Sequence, residues 1–311
     1  MQNPAGSSLR KATIVGGRRP VCPFCNHLPM PELPEVETVV RGLCGYILNR
    51  TITLVVVTAP PYSIVTGASF GKTSFGDILA GKTIEKITRR GKNILISLSG
   101  DLVLWVHLKM TGRFLWVEKN RPAEKHDLVR YSFADCNHDL IFNDYRRFGR
   151  HRLFTSGEIQ TQAGFRDLGP EPLEISREEF VVLCRDSKRM IKPALLDQTF
   201  MAGVGNIYAD EALYASRIHP KKATHLLKKE AMTLLHKNIQ RILRTAIDRM
   251  GSSVDSYRGI NGESGTNQKY LKVYGREGLP CVRCRTTIRR VVIGSRSTHF
   301  CPKCQRVPRG Y

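Results

Sequence analysis

The chain has 311 residues, enough for more than one domain with its own core, and 41% of them are apolar, which excludes a disordered polypeptide. Forty-nine basic against 27 acidic residues leave a formal charge of +22. That balance favours a polyanionic partner, and the spread of basic residues along the chain points to nucleic acid before an acidic membrane surface.

Residues 1–29 hold no Asp or Glu, four basic residues, a Gly/Ser/Pro-rich texture and no apolar stretch of the kind a secretory signal requires. We read them as a leader absent from the active protein, with an organelle-targeting extension as the less favoured alternative. Within it, Cys22-Pro-Phe-Cys25 and His27 look like half of a zinc site, but no second pair lies nearby. From Pro34 the pattern becomes helical. Val36, Val39, Val40 and Leu43 fall on one face, and Pro34 and Glu35 suit a first turn.

Residues 51–155 read as short strands, among them TITLVVV, TIEKITRR, NILISLSG, DLVLWVHL and RYSFAD, separated by Gly, Asn and Asp turns. Many strands at short spacing predict a sandwich or barrel. Two prolines in Leu168-Gly-Pro-Glu-Pro-Leu173 mark a linker. Ser176 with Glu179 then forms a capping box, and helical segments are expected over 191–198, 206–217 and 226–249. Residues 251–280 are rich in Gly, Ser and Asn and are expected to be a mobile loop ahead of a small cysteine module.

Three constellations carry chemistry. Cys281-x2-Cys284 and Cys301-x2-Cys304 supply four thiolates at the spacing of a closed tetrahedral zinc site, which folds a module and catalyses nothing. That module is strongly basic, suiting it to phosphates. Second, Phe200 to Asn206 is a glycine-containing turn entering a helix, where backbone N–H groups attract anions; a plain helix cap at Asn206 is the simpler alternative. Third, Pro31-Glu32-Leu33-Pro34-Glu35 puts a proline beside carboxylates. An internal proline nitrogen is an unreactive amide. A terminal one is a secondary amine able to attack an aldehyde-type carbon, with a carboxylate to move protons.

Together these motifs resemble the bacterial formamidopyrimidine-DNA glycosylase family over residues 30 to about 307. The resemblance rests on PELPEVETVVRGL, Arg90-Gly-Lys92, His107-Leu-Lys-Met110-Thr-Gly, Asn143 to Gly149, the linker, Lys192 to Gln198, Gly205 to Glu211, Tyr274-Gly-Arg-Glu-Gly and the cysteine module. It implies an α+β multidomain protein: an N-terminal β-sandwich with flanking helices (30–165), a linker (166–175), a helix–two-turn–helix domain with a lesion loop (176–270) and a four-cysteine zinc finger (271–311). The implied activity is a bifunctional glycosylase and AP lyase excising oxidised purines.

Carried onto this sequence, Pro31 is the nucleophile, Glu32 the proton donor and Glu35 a supporting carboxylate. Lys92 belongs with the catalytic group and, with Asn206 and Arg296, holds phosphates. His107 and Lys192 are further DNA contacts. Met110, Arg146 and Phe148 fill the gap left by an extruded base, which costs a few kcal/mol of lost stacking. One structural zinc is the implied cofactor and lesion-containing duplex DNA the partner. No membrane role is expected, and a monomer in the bacterial cytoplasm is. Tyr145 stands where the family usually has proline, which questions the stiffness of that turn. An endonuclease-VIII-like activity on oxidised pyrimidines, or non-catalytic DNA binding if Pro31 is never freed, are the alternatives.

Overall fold

The computed structural model describes residues 30–58, 65–67, 74–253 and 259–306. Cys22, Cys25, His27 and the rest of the leader lie outside them. Helix α1 (Leu33–Ile47) opens the fold with Pro34 in its first turn. Its buried face is the expected Val36, Val39, Val40 and Leu43, extended by Ile47. Each such side chain contributes about 1.5–3 kcal/mol as an upper estimate, so this stripe, rather than helix propensity, holds α1 in place.

Two sheets follow, with short helix α2 (Phe75–Leu79) among their strands. Their strands are β1 (Ile52–Val57), β2 (Val65–Gly67), β3 (Ile84–Arg90), β4 (Asn93–Leu98), β5 (Leu102–His107), β6 (Arg113–Glu118), β7 (Asp127–Phe133), β8 (His138–Asn143) and β9 (Arg150–Thr155). One sheet runs β1-β7-β8-β6 and the other β2-β9-β5-β4-β3, antiparallel except where β2 lies parallel to β9. Apolar side chains from both sheets and from α1 share one core.

Strands β3 and β4 form a hairpin in which Arg90 pairs with Asn93, leaving Gly91-Lys92 as its tip. The prolines of the linker do more than interrupt helices. They carry Glu171, which accepts hydrogen bonds from Arg89 Nη1 (2.8 Å), Arg90 Nη1 (3.2 Å) and the backbone N–H of Gly91 (2.5 Å). Two guanidinium groups around one buried carboxylate clamp the tip that presents Lys92.

Past α3 (Ser156–Thr161) come α4 (Arg177–Arg185), α5 (Ile191–Leu196), α6 (Asn206–Ala215) and α7 (Lys229–Asp248). The capping box at Ser176 forms as expected, with the Glu179 N–H donating to Ser176 Oγ and the Ser176 N–H to Glu179 Oε2. These helices enclose a second core, which includes Leu33, whereas Val36 onward belongs to the sandwich. Helix α1 therefore bridges both units, and Pro31 to Glu35 sit at the seam.

Strands β10 (Arg289–Ile293) and β11 (Arg296–Phe300) make the finger's hairpin. Of the segment 251–280, expected to be a mobile loop, residues 254–258 lie outside the described residues. Its described residues are pinned by their own polar groups and by Ile260, which is buried in the sandwich core. There the Trp116 N–H donates to the Ile260 carbonyl at 3.2 Å, and Asn261 Nδ2 donates to Tyr46 Oη at 2.6 Å. Among the described residues, no helix is long and apolar enough to cross a membrane.

Candidate active site at the seam between the two units

Glu32 precedes α1, and its side chain reaches α6. Oε1 accepts from the Ile207 N–H at 2.9 Å and Oε2 from the Tyr208 N–H at 3.4 Å. Residue 205, which caps α6, has no side chain to do this itself, so Glu32 does it from 175 residues away. A methyl group at Gly205 would lie 2.3 Å from Glu32 Cδ, so only glycine admits the carboxylate here.

Burial pushes the Glu32 pKa up to about 7, against the opposing pull of Lys92 and of the two helix amides, while Glu35 adds to the rise. Glu35 is buried too and raised for the same reason. Its Oε2 accepts the Glu32 N–H at 2.9 Å, and its Oε1 accepts from Tyr208 Oη at 2.5 Å and the Ser252 N–H at 2.7 Å. Two buried carboxyl groups of unlike surroundings thus flank Pro31, itself buried. An acid poised near neutrality beside a second carboxylate is the pattern of proton-transfer chemistry.

Lys92, at the hairpin tip, is buried and its pKa is lowered by burial, with Glu32 and Glu35 opposing that shift and Arg296 reinforcing it. Met30, Lys92, His107, Lys109, Arg152 and Trp105 line a cavity of about 310 Å³ beside it. His107 accepts the Lys109 N–H on Nδ1 at 2.9 Å. Burial and the neighbouring Lys109, Lys92 and Arg150 depress its pKa to about 3. The ring is therefore neutral with its proton on Nε2, a donor suited to an anion.

Asn206 is the first residue of α6 and not its cap, because Gly205 occupies that position. Among the described residues its side-chain oxygen has no partner, so the plain-cap alternative does not account for it. Arg296 starts β11 and is exposed. Lys192 does not match the expectation of a DNA contact. It is fully buried, 2.6 Å from Asp210 Oδ1, and donates to the Ser297 carbonyl at 2.8 Å. Asp210 Oδ2 also accepts the His299 N–H at 2.8 Å. Lys192 therefore braces the hairpin that displays Arg296, because a side chain with no exposed surface has no path to a phosphate.

Arg146 and Phe148 share one turn, and Met110 precedes Thr111 in a second turn that bonds to it. Buried Asp144 accepts from Thr111 Oγ1 and from the backbone N–H groups of Arg146 (3.1 Å), Phe148 (2.9 Å) and Gly149 (2.8 Å). This carboxylate, rather than a proline, stiffens the turn, and Tyr145 instead lays its ring edge-on to His126 at 6.4 Å. Phe148 is 44% exposed, with the Arg146 guanidinium 4.8 Å over its ring. A large apolar side chain held outward by a rigid turn is available to wedge between bases.

The sulfurs of Cys281, Cys284, Cys301 and Cys304 lie within 4.8 Å of one another. A tetrahedron of zinc–sulfur bonds of about 2.3 Å spaces sulfurs by about 3.8 Å, so the cage fits one zinc ion. Backbone N–H groups of Arg283 and Cys304 point at Cys281 Sγ and Cys301 Sγ, both at 3.4 Å, as a thiolate cage requires. Sequence reasoning did not single out Glu171, Asp144, Tyr208, Ser252 or Asn267. Glu171, Tyr208, Ser252 and Asn267 act on partners far away in the chain, whereas Asp144 holds its own turn through local backbone N–H groups.

Three family models match in order: the formamidopyrimidine-DNA glycosylase N-terminal domain over residues 30–151, its H2TH domain over 168–258, and the zinc finger found in FPG and IleRS over 278–307. The formamidopyrimidine-DNA glycosylase of Ligilactobacillus salivarius is 45% identical over 281 residues, covering 89% of this chain and 99% of the relative. That of Lactiplantibacillus plantarum is 42% identical, covering 89% and 100%. Among solved structures, Lactococcus lactis Fpg in complex with abasic-site DNA superposes with a TM-score of 0.80 at 38% identity, covering 89% of this chain and all of that one. A mutant of the same protein with Fapy-dG DNA superposes at 0.81.

Proposed function

Since this chain belongs to the formamidopyrimidine-DNA glycosylase family, we propose how its own residues divide the work of a base-excision glycosylase and AP lyase acting on oxidised purines. The free secondary amine of Pro31 attacks C1′ of the extruded nucleotide. As the bond to Pro31 forms, the C1′–N bond to the base breaks and the proton lost from the Pro31 nitrogen passes to the departing base. Glu32 gives its own proton to the sugar ring oxygen as the ring opens to an iminium. The iminium acidifies C2′, a proton leaves it, and the 3′ phosphate departs by β-elimination. δ-Elimination of the 5′ phosphate follows. Glu35 fixes the peptide between residues 31 and 32. Lys92, His107, Asn206 and Arg296 hold phosphates, and Met110, Arg146 and Phe148 occupy the vacated stack.

One observation carries this reading: a carboxyl group poised near neutrality, held by the amides of α6, is the next residue after Pro31. Zinc has a structural part, folding the finger that carries Arg296. We take the protein to act as a monomer in the cytoplasm, on duplex DNA with oxidised purines or abasic sites. The working domain division is 30–165, 166–175, 176–270 and 271–311. The deciding experiment compares release of 8-oxoguanine opposite cytosine with release of thymine glycol, alongside borohydride trapping on abasic DNA. Preferential 8-oxoguanine release with a trapped adduct supports the proposal. Faster thymine glycol release, or no adduct from a chain beginning at Pro31, refutes it.

A pH dependence follows from Glu32. It donates only while protonated, so excision falls about tenfold per unit as pH rises above its pKa of about 7. The Lys92 charge favours ionised Glu32, so Lys92→Ala raises that pKa and moves the alkaline limb to higher pH. A pH–rate profile of single-turnover excision reads both effects. A limb that stays in place in Lys92→Ala excludes Glu32 as the titrating group.

A further inference from the structure

We propose that Tyr208, Ser252 and Asn267 are positioning residues that act on Pro31 through Glu35, an inference that rests on Pro31 being the nucleophile. A proline ring fixes φ, so the direction of a terminal proline's lone pair depends on rotation between its Cα and carbonyl carbon. That rotation is set by the peptide plane joining residues 31 and 32, and the N–H of that plane donates to Glu35 Oε2 at 2.9 Å. Whatever holds Glu35 therefore aims the nucleophile.

What holds it comes from two distant segments. Tyr208 Oη, from the first turn of α6, donates to Glu35 Oε1 at 2.5 Å. The Ser252 N–H donates to the same oxygen at 2.7 Å. Ser252 Oγ lies 3.2 Å from Tyr208 Oη and accepts from Asn267 Nδ2 at 2.9 Å. Asn267 is anchored in turn, its own N–H donating to the Gly251 carbonyl at 3.1 Å and its Oδ1 accepting from Arg249 Nη1 at 3.5 Å.

Gly251 makes this approach possible. It ends α7 by donating to the Ala246 carbonyl at 2.8 Å, in the left-handed region at φ 75°, and a methyl group there would lie 2.9 Å from Glu35 Cγ. All four polar side chains are buried, Glu35 at 2%, Tyr208 at 1%, Ser252 at 4% and Asn267 at 6% exposure. The other charged groups facing Glu35 are Glu32 on the same turn and Lys92 from the β3–β4 tip. Buried, mutually satisfied polar networks define one geometry, and a misplacement of about 1 Å at a reacting atom costs on the order of a hundredfold in rate.

The test uses abasic-site duplex, which has no base to be recognised, and a chain beginning at Pro31. Borohydride trapping is followed in single turnover for Ser252→Ala, Asn267→Ala and Tyr208→Phe, with DNA affinity by anisotropy and circular dichroism alongside. We expect trapping to slow by about ten- to a hundredfold at unchanged affinity and fold. Ser252→Thr, which keeps the hydroxyl, recovers most of the rate. Tyr208→Phe also moves the acid limb of the pH profile upward, because the lost hydrogen bond favoured ionised Glu35. Trapping within about twofold of the unsubstituted rate in the folded variants overturns the inference. So does a loss confined to 8-oxoguanine release, which assigns these residues to base recognition. Failure of the unsubstituted chain to trap at all refutes Pro31 itself and is a separate result.

Discussion

A polypeptide that retains residues 1–29 forms no borohydride-stable adduct with abasic DNA, whereas the same chain beginning at Pro31 forms it in one turnover. The difference follows from one bond. With Met30 attached, the Pro31 nitrogen is a tertiary amide whose lone pair is delocalised into the carbonyl, and it has neither proton to lose nor nucleophilicity to lend. Removing the nucleophile from a covalent catalyst costs on the order of 10³-fold or more, far beyond any change in affinity. Both forms are expected to keep their zinc and bind the same duplex, because Lys92, Asn206, Arg296 and the finger do not depend on the terminal amine. Binding without trapping by the longer form therefore isolates the chemistry. The family model matches from residue 30, and 89% of this chain covers nearly the whole of each relative. Gln2 found intact by mass on a preparation that cleaves abasic DNA would overturn the assignment of Pro31.

The parts of this site that were legible in sequence are those whose partners lie close in the chain. Apolar spacing from Val36 to Leu43 placed α1, and the two CxxC pairs placed the metal cage. The strands read from short apolar runs between turn residues all formed. Pairing across the fold was hidden. Glu35 meets Ser252 across 217 positions and Glu171 meets Gly91 across 80, distances over which spacing carries no information. Two expectations overlooked one physical possibility. Gly, Ser and Asn in 251–280 suggested a loop, but Gly251, Ser252 and Asn267 serve as a helix stop and as hydrogen-bond partners. The family resemblance made Lys192 a DNA contact, but it is neutralised by Asp210 inside the protein, and its stem and ammonium serve to hold a hairpin. In both cases polar residues that usually meet water have been paired within the fold.

Cys301→Ser, or removal of zinc by a chelator, is expected to abolish specific DNA binding while leaving the other two units folded. The finger's own apolar core comprises little more than Val273, Ile288 and two of the cysteines themselves, packed on Tyr214 of α6. So small a cluster cannot offset the conformational entropy of ordering some thirty residues, so the metal–thiolate bonds must supply the difference. The sandwich and helical cores contain none of the four ligands, and their circular dichroism should persist. Losing the finger's fold removes Arg296 and disperses the finger's other arginines, and leaves buried Lys192 with Asp210 but without the Ser297 carbonyl. Affinity for lesion duplex should fall by at least about a hundredfold, and the salt dependence of the residual binding should flatten as phosphate contacts are lost. Metal analysis fixes the stoichiometry at one zinc per chain, and titration with anisotropy at two salt concentrations reads the slope. Tight, steeply salt-dependent binding by a metal-free protein would mean that the sandwich and helices alone grip the duplex. Arg296 would then have to be replaced as a phosphate ligand by Lys92 and Asn206 acting without it.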